Sequence, residues 1–198
     1  MLELLTGSGL ALSAGLNAFI PMLSIGLLAR FTTVVDLPAN WEWLTNSWVL
    51  VMLGVLLLFE VVADKIPAVD HLNDIVQTLV RPTAGGIVFA AGAGSTTPAI
   101  TDPEKFFTSG AVVPFVIGVV LALTTHVAKA GTRSVVNLST AGIGAPVVST
   151  VEDISALTMT VLAILVPVLV VVFMLILVGL GFWVWRRRRV RVRRSLLA

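Results

Sequence analysis

Cysteine and tyrosine are absent from the 198 residues, and charge is scarce: Asp, Glu, Lys and Arg together make up 12%. Without cysteine there is no disulfide and no thiolate chemistry, and cysteine usage carries no information about redox compartment. Soluble domains average about 25% charged and about 45–50% apolar residues, whereas 57% of this chain is hydrophobic. That leaves too little polar surface to cover a soluble globule, and disorder and fibrous repeats are excluded by the same arithmetic. Basic residues are missing before Arg30, so Met1-Leu2-Glu3-Leu4-Leu5 lacks the positive n-region of a cleaved secretory signal. Soluble-enzyme motifs are missing too: no P-loop, no nucleotide-binding glycine fingerprint after a strand, no HExxH and no nucleophile elbow. The expectation is an integral membrane protein that is not an enzyme and uses no cofactor.

The formal net charge of +2 conceals a division. Seven arginines, Arg186 to Arg189, Arg191, Arg193 and Arg194, crowd the last thirteen residues, and the rest of the chain has six basic against eleven acidic residues. Residues 1–185 read as a single transmembrane helical domain and residues 186–198 as a cytoplasmic arginine-rich tail. Following directly on a membrane span, that tail sets orientation and meets anionic lipid headgroups, at about 1 kcal/mol per basic residue near the surface. Membrane lipids are therefore the expected partners, with a homo-oligomer left open and nucleic acid not expected.

A hydrocarbon core of about 30 Å takes about 20 apolar residues, with a usable minimum near 17. Residues 47–63 and 154–185 meet this outright. The second run exceeds one crossing, so it must tilt, kink at Pro167 or project, and Trp183 and Trp185 sit where interfacial aromatics belong. Residues 7–28, 82–100 and 109–130 are plausible but less apolar spans, and residues 135–151 are uncharged but contain two glycines and Pro146. The positive-inside rule favours counting this last segment. Six crossings put Lys65, Arg81, Lys129 and Arg133 inside and Asp36, Glu42, Asp102, Glu104, Glu152 and Asp153 outside, with both termini cytoplasmic and Arg133 and Glu152 on opposite sides. The fold class expected is all-α: a polytopic transmembrane bundle of about six crossings, some short or broken. Ser13-Ala14-Gly15, Thr83-Ala84-Gly85 and Thr140-Ala141-Gly142 fall in the weak first members of three hairpins, which hints at an internal repeat or at composition alone. Small residues and prolines there mean close helix packing or broken helices at a binding site.

Ile66, Val69, Leu72, Val76 and Leu79 recur at helical spacing over 66–81, with Asp70, Asp74, Gln77 and Arg81 on another face. This predicts an amphipathic helix at the cytoplasmic interface, ending before Pro82. Residues 38–48, with Trp41, Trp43 and Trp48, predict an external interfacial segment anchored in lipid.

Ionisable groups inside spans cost about 2.5–3.5 kcal/mol each on insertion scales and need partners. Glu60 and Asp64 share one helix face; His126, Lys129 and Arg133 share another at similar depth. Direct pairing across the bundle is their simplest use. The functional alternative is a polar site at the cytoplasmic mouth. There Glu60, Asp64, Asp70, His71 and Asp74 would be acceptors, Arg81, Lys129 and Arg133 would bind an anion such as a phosphate headgroup, and no metal signature is present. Lys65, mid-span Asn17 and Asn137 complete the candidate substrate-binding set.

The chain resembles a bacterial membrane family known as domain of unknown function 4126. The resemblance lies in residues 15–21 (GLNAFIP), 60–67 (EVVADKIP), 70–74 (DHLND) and 78–85 (TLVRPTAG). It continues in His126-Val127-Ala128-Lys129 with Arg133 and Asn137, and in Gly144-Ala145-Pro146 with Ser149, Glu152 and Asp153. It covers roughly residues 10–170 and implies a fold unit in a bacterial plasma membrane. The resemblance implies no activity. The paired intramembrane charge beside small-residue, Pro-interrupted spans leads to the expectation of a small transporter or lipid translocase, the alternative being a scaffold or assembly partner of another membrane complex, its charges being structural.

Overall fold

The computed structural model describes residues 2–94, 112–172 and 175, and for Pro67, Ala68, Asp70 and His71 only the backbone. The arginine tail, Trp183, Trp185, and Asp102 with its neighbours lie outside the described residues. The elements are α1 (Leu2–Leu16), α2 (Phe19–Phe31), a 3₁₀ helix (Ala39–Thr45), α3 (Ser47–Ala63), α4 (Pro67–Gly92), α5 (Val112–Thr140) and α6 (Ala145–Leu165), with no strand among the described residues.

Two helices, α5 and α6, are long and apolar enough to cross a membrane. A third crossing results if the 3₁₀ helix and α3, which meet at 62°, form one broken span. The segment expected as a single first span is instead divided between α1 and α2, each too short to cross alone. Its break is encoded by Asn17, whose Oδ1 accepts the backbone N–H groups of Phe19 (3.1 Å) and Ile20 (3.2 Å). Those donors open α2 and have no helical partner, so an Asn just before them starts a new helix. Pro21, in the first turn, has no N–H to lose. The two helices fold back on one another: Leu10 of α1 and Ile25 of α2 line one cavity of about 220 Å³, with Glu3 and Asp36 also on its wall. Asn17 is thus the tip of a helical hairpin.

The hairpin's first arm is the centre of the bundle. Every residue from Gly9 to Gly15 is buried, because α4, α5 and α6 all pack on α1. Small residues make this possible. A Cβ added to Gly15 would stand 2.3 Å from the Ala122 carbonyl oxygen of α5, and one on Gly118 would stand 2.3 Å from the Gly85 carbonyl oxygen of α4. Backbones approach this closely only where side chains are absent. Ser13 ties α1 to α6, its Oγ lying 2.8 Å from both the Ala156 carbonyl and the Thr160 hydroxyl.

The outer surface is apolar. Val147, Val151, Ile154, Leu157, Val161 and Leu165 form an exposed stripe along α6, and Leu72, Ile75, Val76 and Leu79 form another on α4. The inner face of α4 carries the buried polar residues Asn73, Gln77 and Arg81. This polarity is inverted relative to a soluble helix, where the apolar stripe faces the core. Apolar outward and charged inward is what a hydrocarbon solvent selects, and the chain is a membrane protein on this ground and on its apolar helices.

Several expectations are corrected. Residues 135–151 do not form a span: they are the end of α5, a turn and the start of α6. The turn uses positive φ at Ala141 (50°) and Gly142 (85°), so Thr140-Ala141-Gly142 reverses the chain, whereas Gly15 and Gly85 sit in helix contacts. The three motifs do different work and mark no repeat. Helix α4 runs through Pro82 instead of stopping before it, and this places Arg81 on the buried inner face of a continuing helix. Trp41 is buried against the core, leaving Trp43 and Trp48 exposed.

Candidate functional site

Around the hairpin tip, α3, α4, α5 and α6 each contribute charge to one buried network. The last turn of α3 supplies Glu60 and the residue after it is Asp64. Asn73, Gln77 and Arg81 are four apart on α4, so one helix face presents all three. His126, Lys129 and Arg133 come from α5 at spacings of three and four, and Glu152 and Asp153 lie at the end of the second turn and the start of the third turn of α6.

Asp64 is the hub. Its Oδ2 accepts from Lys129 Nζ at 2.9 Å and from an Arg133 terminal nitrogen at 2.9 Å, with Arg81 at 3.5 Å. Its Oδ1 accepts from Asn73 Nδ2 at 2.8 Å. Arg81 also donates to Glu60 Oε1, at 2.9 Å through a terminal nitrogen and 3.3 Å through Nε. Arg133 donates through Nε to Glu152 Oε2 at 2.8 Å. Glu60, Asp64, Glu152, Arg81, Lys129 and Arg133 are all buried. Three carboxylates therefore face three cations, and the Coulomb terms and hydrogen bonds offset desolvation that would be prohibitive for a lone ion.

His126 sits beside the network as a neutral group. An Arg81 nitrogen lies 3.1 Å from its Nδ1, and a guanidinium can only donate, so Nδ1 accepts. The ring is then the Nε2–H tautomer, donating to Thr78 Oγ1 at 3.2 Å, and the Thr78 hydroxyl passes its own proton to the Asp74 carbonyl oxygen at 2.8 Å. The Asp74 carboxylate stands 3.6 Å from Arg81.

The hairpin tip enters this ring directly. Lys129 Nζ donates to the main-chain carbonyl of Leu16 at 2.9 Å, and Asn17 Nδ2 donates to Asp153 Oδ1 at 3.0 Å. Lys65, partly exposed, reaches Asp153 at 3.7 Å. Three buried atoms at the network face have no hydrogen-bond partner among the described residues: Glu60 Oε2, Gln77 Oε1 and Ser149 Oγ. Asn137, one turn beyond Arg133, has an unpartnered Oδ1 as well.

Of the sequence-derived candidates, Asn17, Glu60, Asp64, Asp74, Arg81, His126, Lys129 and Arg133 meet in one place. Lys65 is peripheral, Asn137 lies toward the α5–α6 turn, and the side chains of Asp70 and His71 are outside the described residues. Glu152 and Asp153, assigned to an external loop, are members instead. Glu152 pairs with Arg133, so the two lie at one depth and not on opposite sides of a bilayer. The missed signal is periodic: Ser149, Glu152, Ala156, Met159 and Ala163 are all buried, at spacings of three and four, on one face of α6. The network lies about two helical turns in from the start of α6. From Glu152 to the start of α6 is seven residues, about 10 Å; over that stretch Val147 and Val151 are exposed and apolar, and the exposed Thr150 hydroxyl donates back to the Pro146 carbonyl. Each cation is engaged by carboxylates, so an incoming anion would have to displace one. Among the described residues no group of three His, Asp or Glu is placed to hold a metal ion.

The profile of the family described as domain of unknown function (DUF4126) matches residues 4–187, nearly the whole chain, and the protein belongs to that family. No curated protein and no solved structure matches it.

Proposed function

We propose that this protein is a small transporter or lipid translocase, with the broken tip of the α1–α2 hairpin and the surrounding ion network as its polar site. The observation that carries this reading is the main-chain break at Asn17, where the Leu16 carbonyl meets Lys129 within a ring of buried charge. A register-fixing ion pair between two continuous helices needs no such break. Interrupted backbone at membrane depth is tolerated where it is enclosed by protein or lines a cavity, and transporters use such breaks to hold substrates and ions. The unpartnered atoms of Glu60, Gln77 and Ser149 add polar capacity that the protein leaves unused.

In this reading α3, α4, α5 and α6 cross the membrane and the α1–α2 hairpin enters and returns, in place of six crossings. The bundle end carrying Glu3, Arg30, Asp36 and Glu42 has one basic residue against Lys65, Arg81, Lys129 and Arg133 at the network end, so it faces outward and the network end faces the cytoplasm. The start of α1 and the end of α6 are then both on the outer side, in contrast to the expectation of two cytoplasmic termini.

A second reading has support from the network's own balance: three carboxylates against three cations is what a purely structural core of a scaffold would hold. Proteoliposomes containing NBD-labelled phospholipid, quenched from outside with dithionite, separate the two. The wild type is expected to expose inner-leaflet label, and Asp64→Asn and Lys129→Gln to abolish this while still unfolding in one cooperative transition at a lower temperature. Unchanged flipping in both variants removes the network from the function. A swap, Asp64→Lys with Lys129→Asp, that restores every property favours the scaffold.

A further inference from the structure

Lys129 has an uncommon set of neighbours for an ammonium. Its Nζ contacts the Leu16 carbonyl oxygen at 2.9 Å, Asp64 Oδ2 at 2.9 Å and Glu152 Oε2 at 3.4 Å. The first belongs to the last turn of α1, where helix carbonyls point past the helix end without intrahelical partners and carry the negative end of the dipole. Main-chain carbonyls of an interrupted helix together with carboxylates are an oxygen set suited to an alkali cation.

We infer that Leu16 O, Asp64 and Glu152 form a monovalent-cation site that Lys129 fills as a tethered cation. Its ammonium does the work a sodium or potassium ion would otherwise do, and the hairpin tip is pinned without an external ion. Charge accounting agrees. With Lys129 removed, the network of Glu60, Asp64, Asp74 and Glu152 with Arg81 and Arg133 is short of one positive charge relative to the wild type, which a monovalent ion would restore. Burial agrees as well: the Lys129 side chain is 0% exposed, so truncation leaves an enclosed, oxygen-lined space. The neighbouring arginines cannot take over, because their planar forks are committed to Glu60, Asp64 and Glu152. The inference concerns what holds the tip and stands whether or not the protein moves a substrate.

The test is thermal unfolding of the full-length protein in detergent, in NaCl, KCl or N-methylglucamine chloride at one ionic strength. The wild type is expected to melt at the same temperature in all three. Lys129→Ala should melt lower in N-methylglucamine and recover saturably with Na⁺ or K⁺, by on the order of 5 °C. Lys129→Met, whose chain fills the space, should melt low and not respond. The inference is overturned by a Lys129→Ala protein indifferent to the cation or unfolded in every salt. An equal response of Lys129→Met, or a cation-specific wild type, overturns it too.

Discussion

Asp64 takes four partners from two helices, Asn73 and Arg81 on α4 and Lys129 and Arg133 on α5. Arg133 does the complementary thing, joining Asp64 to Glu152 with a single guanidinium. A buried charge stripped of its partner is far costlier than the pair is favourable. Arg133→Ala should therefore destabilise the protein by about 3–5 kcal/mol in a detergent or urea titration. Arg133→Lys should recover only part of this, because a point-charge ammonium cannot span both carboxylates as the fork does. Wild-type stability in Arg133→Lys would mean that the forked geometry contributes nothing. Asn17 carries a smaller load: it caps α2 and donates to Asp153. Asn17→Ala is expected to cost about 1–2 kcal/mol, and the same titration reads it.

Among the elements, the α1–α2 hairpin depends on backbone contact. Helices α4 and α5 meet with Gly85 against Gly118, and α5 receives Gly15 of α1. Gly118→Leu should separate α4 from α5 and lower the melting temperature sharply, since the group it would strike is the Gly85 carbonyl, which cannot swing away as a side-chain end can. Gly54 of α3 has open space around its Cβ position, so Gly54→Ala is expected to be neutral or mildly stabilising in the same melt. A gain at both positions would show that helix propensity, and not the close crossing, sets the effect. By sequence alone α1 reads as half of a longer span. Its composition is that of an apolar helix, and only the capping geometry at Asn17 ends it.

For the whole molecule the open quantity is orientation, and the missing cysteines make it measurable. A single cysteine at Glu42 and another at Ser139 lie at opposite ends of the bundle. In whole cells, Glu42→Cys should react with a membrane-impermeant maleimide and Ser139→Cys should react only after permeabilisation. The reverse pattern would invert the proposed orientation, and labelling of both from outside would refute a crossing by α5. The polar face of α4, the pairing of α3 charge with α5 charge, and the importance of Asn17 were all legible in the sequence, because each rests on helical periodicity or on the cost of a polar group in hydrocarbon. Glu152 was not, because a loop assignment made it cheap. Nothing local distinguishes an acidic residue in a solvated turn from one a turn inside a helix that faces arginine.

The sequence alone determined the solvent. A chain with 12% charged residues and long apolar runs must place its surface in hydrocarbon, and few ionisable groups in such a chain force those groups to find each other. Which groups meet, and how many times the chain crosses, only the tertiary structure decided. The turn at residues 141–144 carries Glu152 back to Arg133, and the cap at Asn17 folds α2 back along α1. Each reversal costs little by local chemistry. The turn gains Arg133 with Glu152, nineteen residues apart. Helix α6 and the hairpin are also held by contacts more than a hundred residues away, from Ser13 to Thr160 and from Lys129 to the Leu16 carbonyl, and no local window of sequence contains both partners of these.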